Sequence, residues 1–221
     1  MYIKEKEKYH KFLEQTHAKV PVFFQPWYLD VVCCKGQWDV MLSEDGDKSI
    51  IGFWVYYSTE KYGQPCIIMP PLTPYSGIWI YASQSTKNET KNKKNLSIVK
   101  ELLDKIPQNI TLYTQSFHYS FQNGLQFYWK KYTQTVRYTF YIDQLKIWSI
   151  NDISTNVRNK INKASRILKY EISQNRERLY DLVYHVIKDK GMNLTLTKDM
   201  FYALDDAILQ HSDRRIIIVR D

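Results

Sequence analysis

SINDISTNVRNKINKASRILKYEIS, residues 149–173, is the stretch that decides the fold, because it predicts one amphipathic helix that runs into a short strand. Ser149 and Asp152 have the spacing of a capping box. Ser154 and Thr155 supply further side-chain oxygens of the kind that cap helix N-termini. We therefore expect the helix to begin near the start of this stretch.

One side of this predicted helix is apolar and the rest is cationic. Four apolar residues recur at i, i+4, i+7 and i+11, which makes a narrow stripe at the helical period. They are Val157, Ile161, Ala164 and Leu168. At 100° per residue, five basic residues occupy the remaining circumference: Arg158, Lys160, Lys163, Arg166 and Lys169. We expect the stripe to pack on a core and the cationic surface to be the main chemical feature of the chain.

The composition is that of a globular, basic protein. Of the 221 residues, 44% are hydrophobic and 24% are charged, which excludes a disordered chain. Eighteen Tyr and six Trp suit binding clefts as well as cores, because both rings combine packing area with a polar group. The formal charge of +8 fits an anionic partner, although solubility alone also explains it.

The sequence favours a cytoplasmic protein. The N-terminal residues are charged and have no apolar segment typical of a signal peptide, and no run is apolar enough for a membrane span. Cys33, Cys34 and Cys66 follow no disulfide or metal spacing, so we expect reduced thiols. A reactive cysteine is the weaker alternative, because neither Cys33 nor Cys34 has a nearby base.

The first half of the chain predicts a helix followed by a sheet. The helix covers 2–18, and a short helix follows an aromatic segment at 23–32. Two strands flank an Asp-Gly turn at 44–47, which is a hairpin signal. The strands are expected at 38–43, 49–58, 66–69 and 78–81, with a loop at 70–77 where three prolines remove strand donors.

The second half predicts alternating helices and strands. Residues 83–95 are polar and lack apolar periodicity, so they predict a surface loop. The remaining predicted elements are a helix at 96–106, strands at 110–117 and 135–145, helices at 177–188 and 197–210, and a final strand at 215–219. This last strand is so apolar that we expect neighbouring strands on both sides.

Several short segments along nearly the whole chain carry a resemblance to a known family. They are FQPWYL (24–29), WDV (38–40), MPPLT (69–73), QSFH (115–118), NG (123–124), RYTF (137–140) and NVRNKINKA (156–164). In this order they resemble the FemABX-like branch of the GNAT acyltransferase superfamily. No single segment is a catalytic signature; the order is the specific feature.

The resemblance implies an α/β fold of the α+β kind, in which a mixed sheet is flanked by helices and two GNAT-like units pack as a pair. The first unit would cover residues 1–148 and be complete. The second would begin with the basic helix, cover residues 149–221 and be partial. A partial second unit would leave the active site of this chain incomplete.

The resemblance also implies a reaction, the transfer of an acyl or aminoacyl group to an amine. The donor would be aminoacyl-tRNA or acyl-CoA, and the acceptor a phosphorylated small molecule or peptide such as a cell-wall precursor. Amine acylation requires deprotonation of the amine, alignment of the reactants and stabilisation of the oxyanion. Backbone donors and positioning can supply much of this, so we assign no catalytic residue.

The basic helix supplies the candidate contacts to phosphate. Arginine would grip a phosphate with two hydrogen bonds, and lysine would act as a point charge. The candidates are Arg158, Lys160, Lys163 and Arg166. The alternative is a solvated helix face, which charge runs usually are. We weigh the two equally, because the helix has no acidic partner before Glu171.

Aromatic residues are the candidates for lining an acceptor cleft. Tyr75 lies in the proline-flanked loop and is the better candidate, whereas Trp27 and Tyr28 fit core packing better. His118 follows a strand and could act as a general base, but a lone histidine is more often structural. No group of residues has metal-ligand spacing, so we predict no metal site.

Three functional hypotheses follow. The seven glycines are isolated, so the chain lacks the glycine-rich loop that holds the pyrophosphate of acetyl-CoA in ordinary GNAT enzymes, and it contains no cofactor motif of its own. The first hypothesis is a FemABX-like N-acyl or aminoacyltransferase. The second is a non-catalytic binding module for an anionic, phosphorylated ligand. The third is a tRNA or RNA binder, for which the chain has no recognisable motif.

Overall fold

The computed structural model describes residues 2–16, 20–81, 87–142, 146–194 and 196–220. The chain divides into two compact units, Met1–Gln134 and Thr135–Asp221. The sequence analysis placed the boundary after Trp148, whereas the contacts place it after Gln134. That these are GNAT-like units stays a prediction. In its described part the chain is a mixed α/β protein with seven α-helices and a mixed sheet.

The N-terminal unit contains four helices and five strands in its described part. The helices are α1 (Tyr2–Thr16), α2 (Pro26–Val32), α3 (Asn88–Asp104) and α4 (Leu125–Trp129). The strands are β1 (Gln37–Glu44), β2 (Ile50–Lys61), β3 (Gln64–Ile68), β4 (Gly77–Ile80) and β5 (Leu112–Tyr113). The predicted hairpin is confirmed, and the Asp45 carboxylate accepts the backbone N–H of Asp47 and of Ser49 in its turn.

Strand β2 is the centre of the sheet. One of its edges pairs antiparallel with β1 along nearly its whole length. Its other edge is shared, with β4 antiparallel to residues 52–55 and β3 antiparallel to residues 57–61. Strand β5 pairs parallel to β3, which makes the sheet mixed. The mixed sheet of the predicted fold class is therefore present, and its equivalence to the GNAT sheet is untested.

Both faces of this sheet are covered, since consecutive residues of β2 such as Phe53 and Trp54 are buried. The Phe53 ring lies edge-on to the Tyr9 ring of α1, with 4.8 Å between centroids. The adjacent Trp54 ring points to the other face and lies 5.8 Å from the Phe127 ring. Leu102 of α3 joins that second cluster and is fully buried. The N-terminal unit is thus a three-layer structure with buried side chains on both faces of its sheet.

Two predictions for this unit are wrong in part. Residues 88–95, predicted as a loop, form the first turns of α3, while 82–86 lie outside the described residues. Their charges are solvated, and Lys93 pairs with Glu89 one turn earlier, which supports a helix without apolar periodicity. The strand predicted at 110–117 is shorter, since only β5 pairs, followed by one bridge between Ser76 and Phe117.

The C-terminal unit contains three helices and a two-stranded antiparallel sheet in its described part. The elements are α5 (Thr155–Ala164), β6 (Lys169–Ser173), α6 (Arg176–Asp189), α7 (Lys198–His211) and β7 (Ile216–Arg220). The capping box of Ser149 and Asp152 is confirmed, but it caps a single 3-10 turn at residues 150–152. Helix α5 begins after Ser154, whose side chain makes no cap hydrogen bond.

Two further predictions are wrong in the C-terminal unit. Residues 135–142, expected as a strand, form no strand in the described structure, and 143–145 lie outside it. Alternating apolar residues favour a strand only where another strand pairs with them. The α5 stripe, expected to be packed on a core, is exposed: Val157 is 44% accessible and Ile161 is 41% accessible.

Ion pairs around the buried Asp205 tie the helices of this unit to β7. Asp205 of α7 is nearly buried, and its carboxylate lies 2.6 Å from Nε of Arg214, just before β7. Arg176, at the start of α6, pairs with the same carboxylate and with Asp206. Because Asp205 is held by two guanidinium groups, this network fixes α6 and α7 around the buried face of the sheet.

Candidate functional site

Arg158 is the best-positioned cation of the predicted basic helix. It lies in the first turn of α5 and is only partly exposed. Its Nη1 donates to the Asn151 side-chain oxygen at 3.2 Å, and its Nη2 donates to the Thr155 hydroxyl at 3.1 Å. A guanidinium has five N–H groups, so three remain for another acceptor. The two neutral neighbours orient the group without cancelling its charge.

This arrangement differs from that of the other paired arginines of the C-terminal unit. In the described residues Arg178 and Arg220 pair with Glu171, while Arg176 and Arg214 pair with Asp205. Each of those side chains is therefore compensated by a carboxylate. Arg158 is held by an amide and a hydroxyl instead, so its positive charge stays available for an anion.

A polar groove of about 310 Å³ surrounds the Arg158 side chain. Three asparagines contribute amide groups that can both donate and accept hydrogen bonds. The lining residues are Ile150, Asn151, Thr155, Arg158, Asn159 and Asn162. None of them is acidic, so an anion entering the groove meets one positive charge and several neutral donors.

A second depression, of about 300 Å³, lies on the same helix. Its floor is apolar, and two of the predicted phosphate contacts stand beside it. The lining residues are Lys160, Lys163, Ala164, Ile167 and Leu168. Arg166 is exposed in the turn after α5 and is not among the residues that line either depression. Three of the four predicted basic residues thus border a concave surface.

The aromatic candidates belong to the N-terminal unit and are packed. The Tyr75 ring lies edge-on to Phe23 at 4.9 Å and 4.7 Å from His118. The Trp27 ring is partly buried and lies 6.1 Å from the Tyr28 ring. The Tyr28 hydroxyl donates to the Leu72 carbonyl at 2.8 Å and so holds the proline-rich loop. A cleft role for Tyr75 and Trp27 stays a prediction.

His118 is a buried residue in the described structure. Its Nδ1 accepts the backbone N–H of Ser120 at 3.2 Å and lies 2.8 Å from the Ser120 hydroxyl. Burial lowers the pKa of the imidazole, because desolvation disfavours the charged form. Because Nδ1 accepts a hydrogen bond, the proton of the neutral ring lies on Nε2. These contacts fit a structural role for His118, which the sequence favoured over a general base.

Burial disfavours Cys33 as a nucleophile. All three are free, and Cys33 and Cys66 are buried. Burial raises the pKa of the Cys33 thiol to about 12, so the thiolate is scarce at neutral pH. In the described part of the chain, no three His, Cys, Asp or Glu side chains are grouped so that they could hold a metal ion.

No family model, no curated protein and no solved structure matches this chain. We therefore infer function from the geometry of the chain's own residues. None of the helices within the described ranges has the length and apolar character needed to cross a bilayer.

The neutral half of the Arg158 groove was not predicted from the sequence. Thr155, Asn159 and Asn162 follow each other at i, i+4 and i+7, so they share one side of α5 with Arg158. That polar stripe follows the helical period and could have been predicted, but the site was predicted only from the apolar stripe and the charged residues. The contribution of Asn151 could not be seen, because it depends on how the 3-10 turn approaches α5.

Proposed function

We propose that the C-terminal unit binds a phosphorylated ligand at α5, with Arg158 as its central contact. The observation that supports this most strongly is the guanidinium held by Asn151 and Thr155 in a groove without a carboxylate. Phosphate oxygens accept hydrogen bonds from a guanidinium in pairs, which is the geometry that a pre-oriented arginine serves best. Lys160 and Lys163 add long-range attraction from the same helix.

We further propose that this binding serves transfer of an acyl or aminoacyl group to an amine, as in the FemABX-like branch. The order of the segments in the sequence supports this wider proposal, and so does the mixed sheet flanked by helices. A phosphorylated acceptor or a tRNA-linked donor would then be the anion that Arg158 holds. The catalytic groups are not assigned.

A calorimetric titration of the full chain with inorganic pyrophosphate tests the binding proposal. Arg158→Ala should weaken binding by about tenfold or more, because charge-assisted hydrogen bonds contribute about 1.5–3 kcal/mol. Arg158→Lys should recover only part of the loss, since lysine cannot donate two parallel hydrogen bonds. The affinity of the wild type should fall as salt is added.

Arg215→Ala is the matched control for the binding experiment. Arg215 is exposed, belongs to the same unit, and has no carboxylate partner among the described residues. Its removal changes the net charge by the same amount but should leave pyrophosphate binding nearly unchanged. Equal losses for the two alanine variants would show that binding depends on net charge alone and would refute the Arg158 site.

Transfer itself is tested with a cell-wall precursor that carries a free amine and a diphosphate. Release of free CoA from acetyl-CoA, or of tRNA from aminoacyl-tRNA, should depend on the acceptor and on Arg158. Pyrophosphate binding without either release would favour the non-catalytic binding module. If the Arg158→Ala variant bound tRNA with undiminished affinity, that result would favour the RNA binder.

A further inference from the structure

The apolar stripe of α5 is exposed although its residues follow the helical period. Val157 and Ile161 are more than two-fifths accessible, and Leu168, directly before β6, is exposed to the same extent. Ile167 beside it is 61% accessible. A helix with an uncovered apolar stripe and a polar remainder is suited to an interface between water and an apolar phase.

We propose that α5 docks on the surface of an anionic lipid bilayer. In this arrangement the apolar stripe enters the boundary between headgroups and acyl chains, and the basic side chains contact lipid phosphates. The helix lies in the plane of the surface and does not cross it. This inference depends on the apolar stripe, none of whose residues lines the pyrophosphate groove, whereas Arg158 borders both surfaces.

Positive charge flanks the stripe on both sides. At 100° per residue, Arg158 lies on one side of Ile161, and Lys160 lies beyond Ala164 on the other side. The long side chains of such residues can place their methylene groups on the apolar region while their charges reach the headgroups. Between Asp152 and Glu171 the chain has no acidic residue that would repel anionic lipid.

The second depression on α5 fits the same occupant. Its floor consists of Ala164, Ile167 and Leu168, and the side chains of Lys160 and Lys163 complete the lining. An apolar floor with ammonium groups beside it matches a lipid, whose acyl chain and phosphate are adjacent. A soluble phosphate would contact the lysines but would leave the apolar floor exposed to water.

Exposed apolar residues continue just before the helix. Ile147, Trp148 and Ile150 lie immediately ahead of α5 and are all exposed. Tryptophan prefers the interfacial region of a membrane, because its ring is apolar and its N–H needs a polar partner. These side chains add apolar surface next to the stripe in the sequence.

RNA is the competing macromolecule for a basic helix, and the residues of α5 favour lipid over it. Proteins that bind single-stranded RNA without a base code stack aromatic rings on the bases. The segment Thr155–Ala164 contains no aromatic residue. RNA bound to the lysines would also leave Val157 and Ile161 in water, whereas a bilayer would bury them.

Co-sedimentation of the full chain with vesicles tests the proposal. The vesicles contain 70% phosphatidylcholine and 30% phosphatidylglycerol, and pure phosphatidylcholine vesicles serve as the uncharged reference. The wild type should bind the anionic vesicles and bind the reference at least about tenfold more weakly, because the basic residues require anionic headgroups. Val157→Gln/Ile161→Gln should reduce binding to the anionic vesicles by about tenfold.

Leu209→Gln is the matched control for the double variant. Leu209 lies on α7 of the same unit and is 52% accessible, so its replacement also removes an exposed apolar side chain from a helix. It should bind anionic vesicles like the wild type. The glutamine double variant should keep the wild-type circular dichroism spectrum and the wild-type affinity for pyrophosphate, which separates this proposal from the groove at Arg158.

Three results would overturn the lipid proposal. The wild type would fail to bind the anionic vesicles, or the double variant would bind them as well as the wild type does. In the third result, a single-stranded RNA oligonucleotide would compete the protein off the vesicles and bind the double variant with undiminished affinity. The proposed function would fail by a different result, an Arg158→Ala variant with unchanged pyrophosphate affinity.

Discussion

The two units of this chain differ in how completely they cover their apolar side chains. In the N-terminal unit both faces of the sheet are packed, and Phe53 and Trp54 are fully buried on opposite sides. In the C-terminal unit the sheet buries Ile216 and Ile218 but exposes Ile217 and Val219. The N-terminal unit therefore has the stronger core, and the C-terminal unit has the more open surface for binding.

The largest expected effect is the loss of a core aromatic ring in the N-terminal unit. Phe53→Ala removes a ring that contacts α1 and the turn at 22–24, so it should lower the free energy of unfolding by about 3–5 kcal/mol. Chemical denaturation followed by circular dichroism measures this change. Phe140→Ala is the matched control, because Phe140 is fully exposed in the other unit and should cost about 0.5 kcal/mol or less.

Equal losses for these two alanine variants would contradict the comparison between the units. Such a result would mean that Phe140 is covered in solution and that the segment at 135–142 belongs to a core.

A smaller effect is expected within the C-terminal sheet, where neighbouring isoleucines face opposite sides. Ile218 is 4% accessible and Ile217 is 60% accessible. Ile218→Ala should lower the free energy of unfolding by about 2–3 kcal/mol, because it leaves a cavity. Ile217→Ala replaces an exposed residue by one with a lower preference for strands, so it should lower the free energy of unfolding by about 1 kcal/mol or less. The denaturation midpoints of the two variants measure the difference, and a larger loss at Ile217 would show that the exposed face is covered.

The smallest expected effect is a pH dependence from His118 in the N-terminal unit. Burial lowers the pKa of folded His118 below its usual value of about 6.5, so the unfolded chain takes up the proton first as the pH falls. The wild type should therefore lose stability through His118 below about pH 6.5. His118→Gln lacks this loss, so the stability gap between wild type and variant should narrow as the pH is lowered.

Denaturation of the wild type and His118→Gln at a series of pH values from about 7.5 to 5 measures that gap. A gap that stays constant or widens would show that His118 is not buried as a neutral ring.

Local signals in the sequence were sufficient for much of the N-terminal unit. The Asp-Gly turn and the alternation in β2 predicted the hairpin, since both depend on residues close in the chain. The strand at 135–145 was predicted on the same kind of alternation, but its described residues 135–142 form no strand, because pairing depends on a partner strand that alternation does not reveal. In α5 the helical period of the apolar stripe was predicted correctly, but its burial was not. Burial depends on which residues pack against the stripe, and the helical period does not show that.

The candidate site was predicted in part. Arg158, Lys160 and Lys163 were chosen by charge, and the structure places all three beside depressions on α5. Asn159 and Asn162 were missed because only apolar and charged residues were considered, although both share one side of α5 with Arg158 at the helical period. Asn151 reaches Arg158 only through the fold of the 3-10 turn, which is a contact between two elements.

The most direct test of the account is a nuclear magnetic resonance titration of the full chain with inorganic pyrophosphate. The account predicts that the largest amide shifts lie between residues 150 and 163, around Arg158, and that the core strand β2 is unaffected. Arg158→Ala should move the midpoint of these shifts to about tenfold higher pyrophosphate. Shifts scattered over the basic residues of both units, or a midpoint that is unchanged without Arg158, would contradict it.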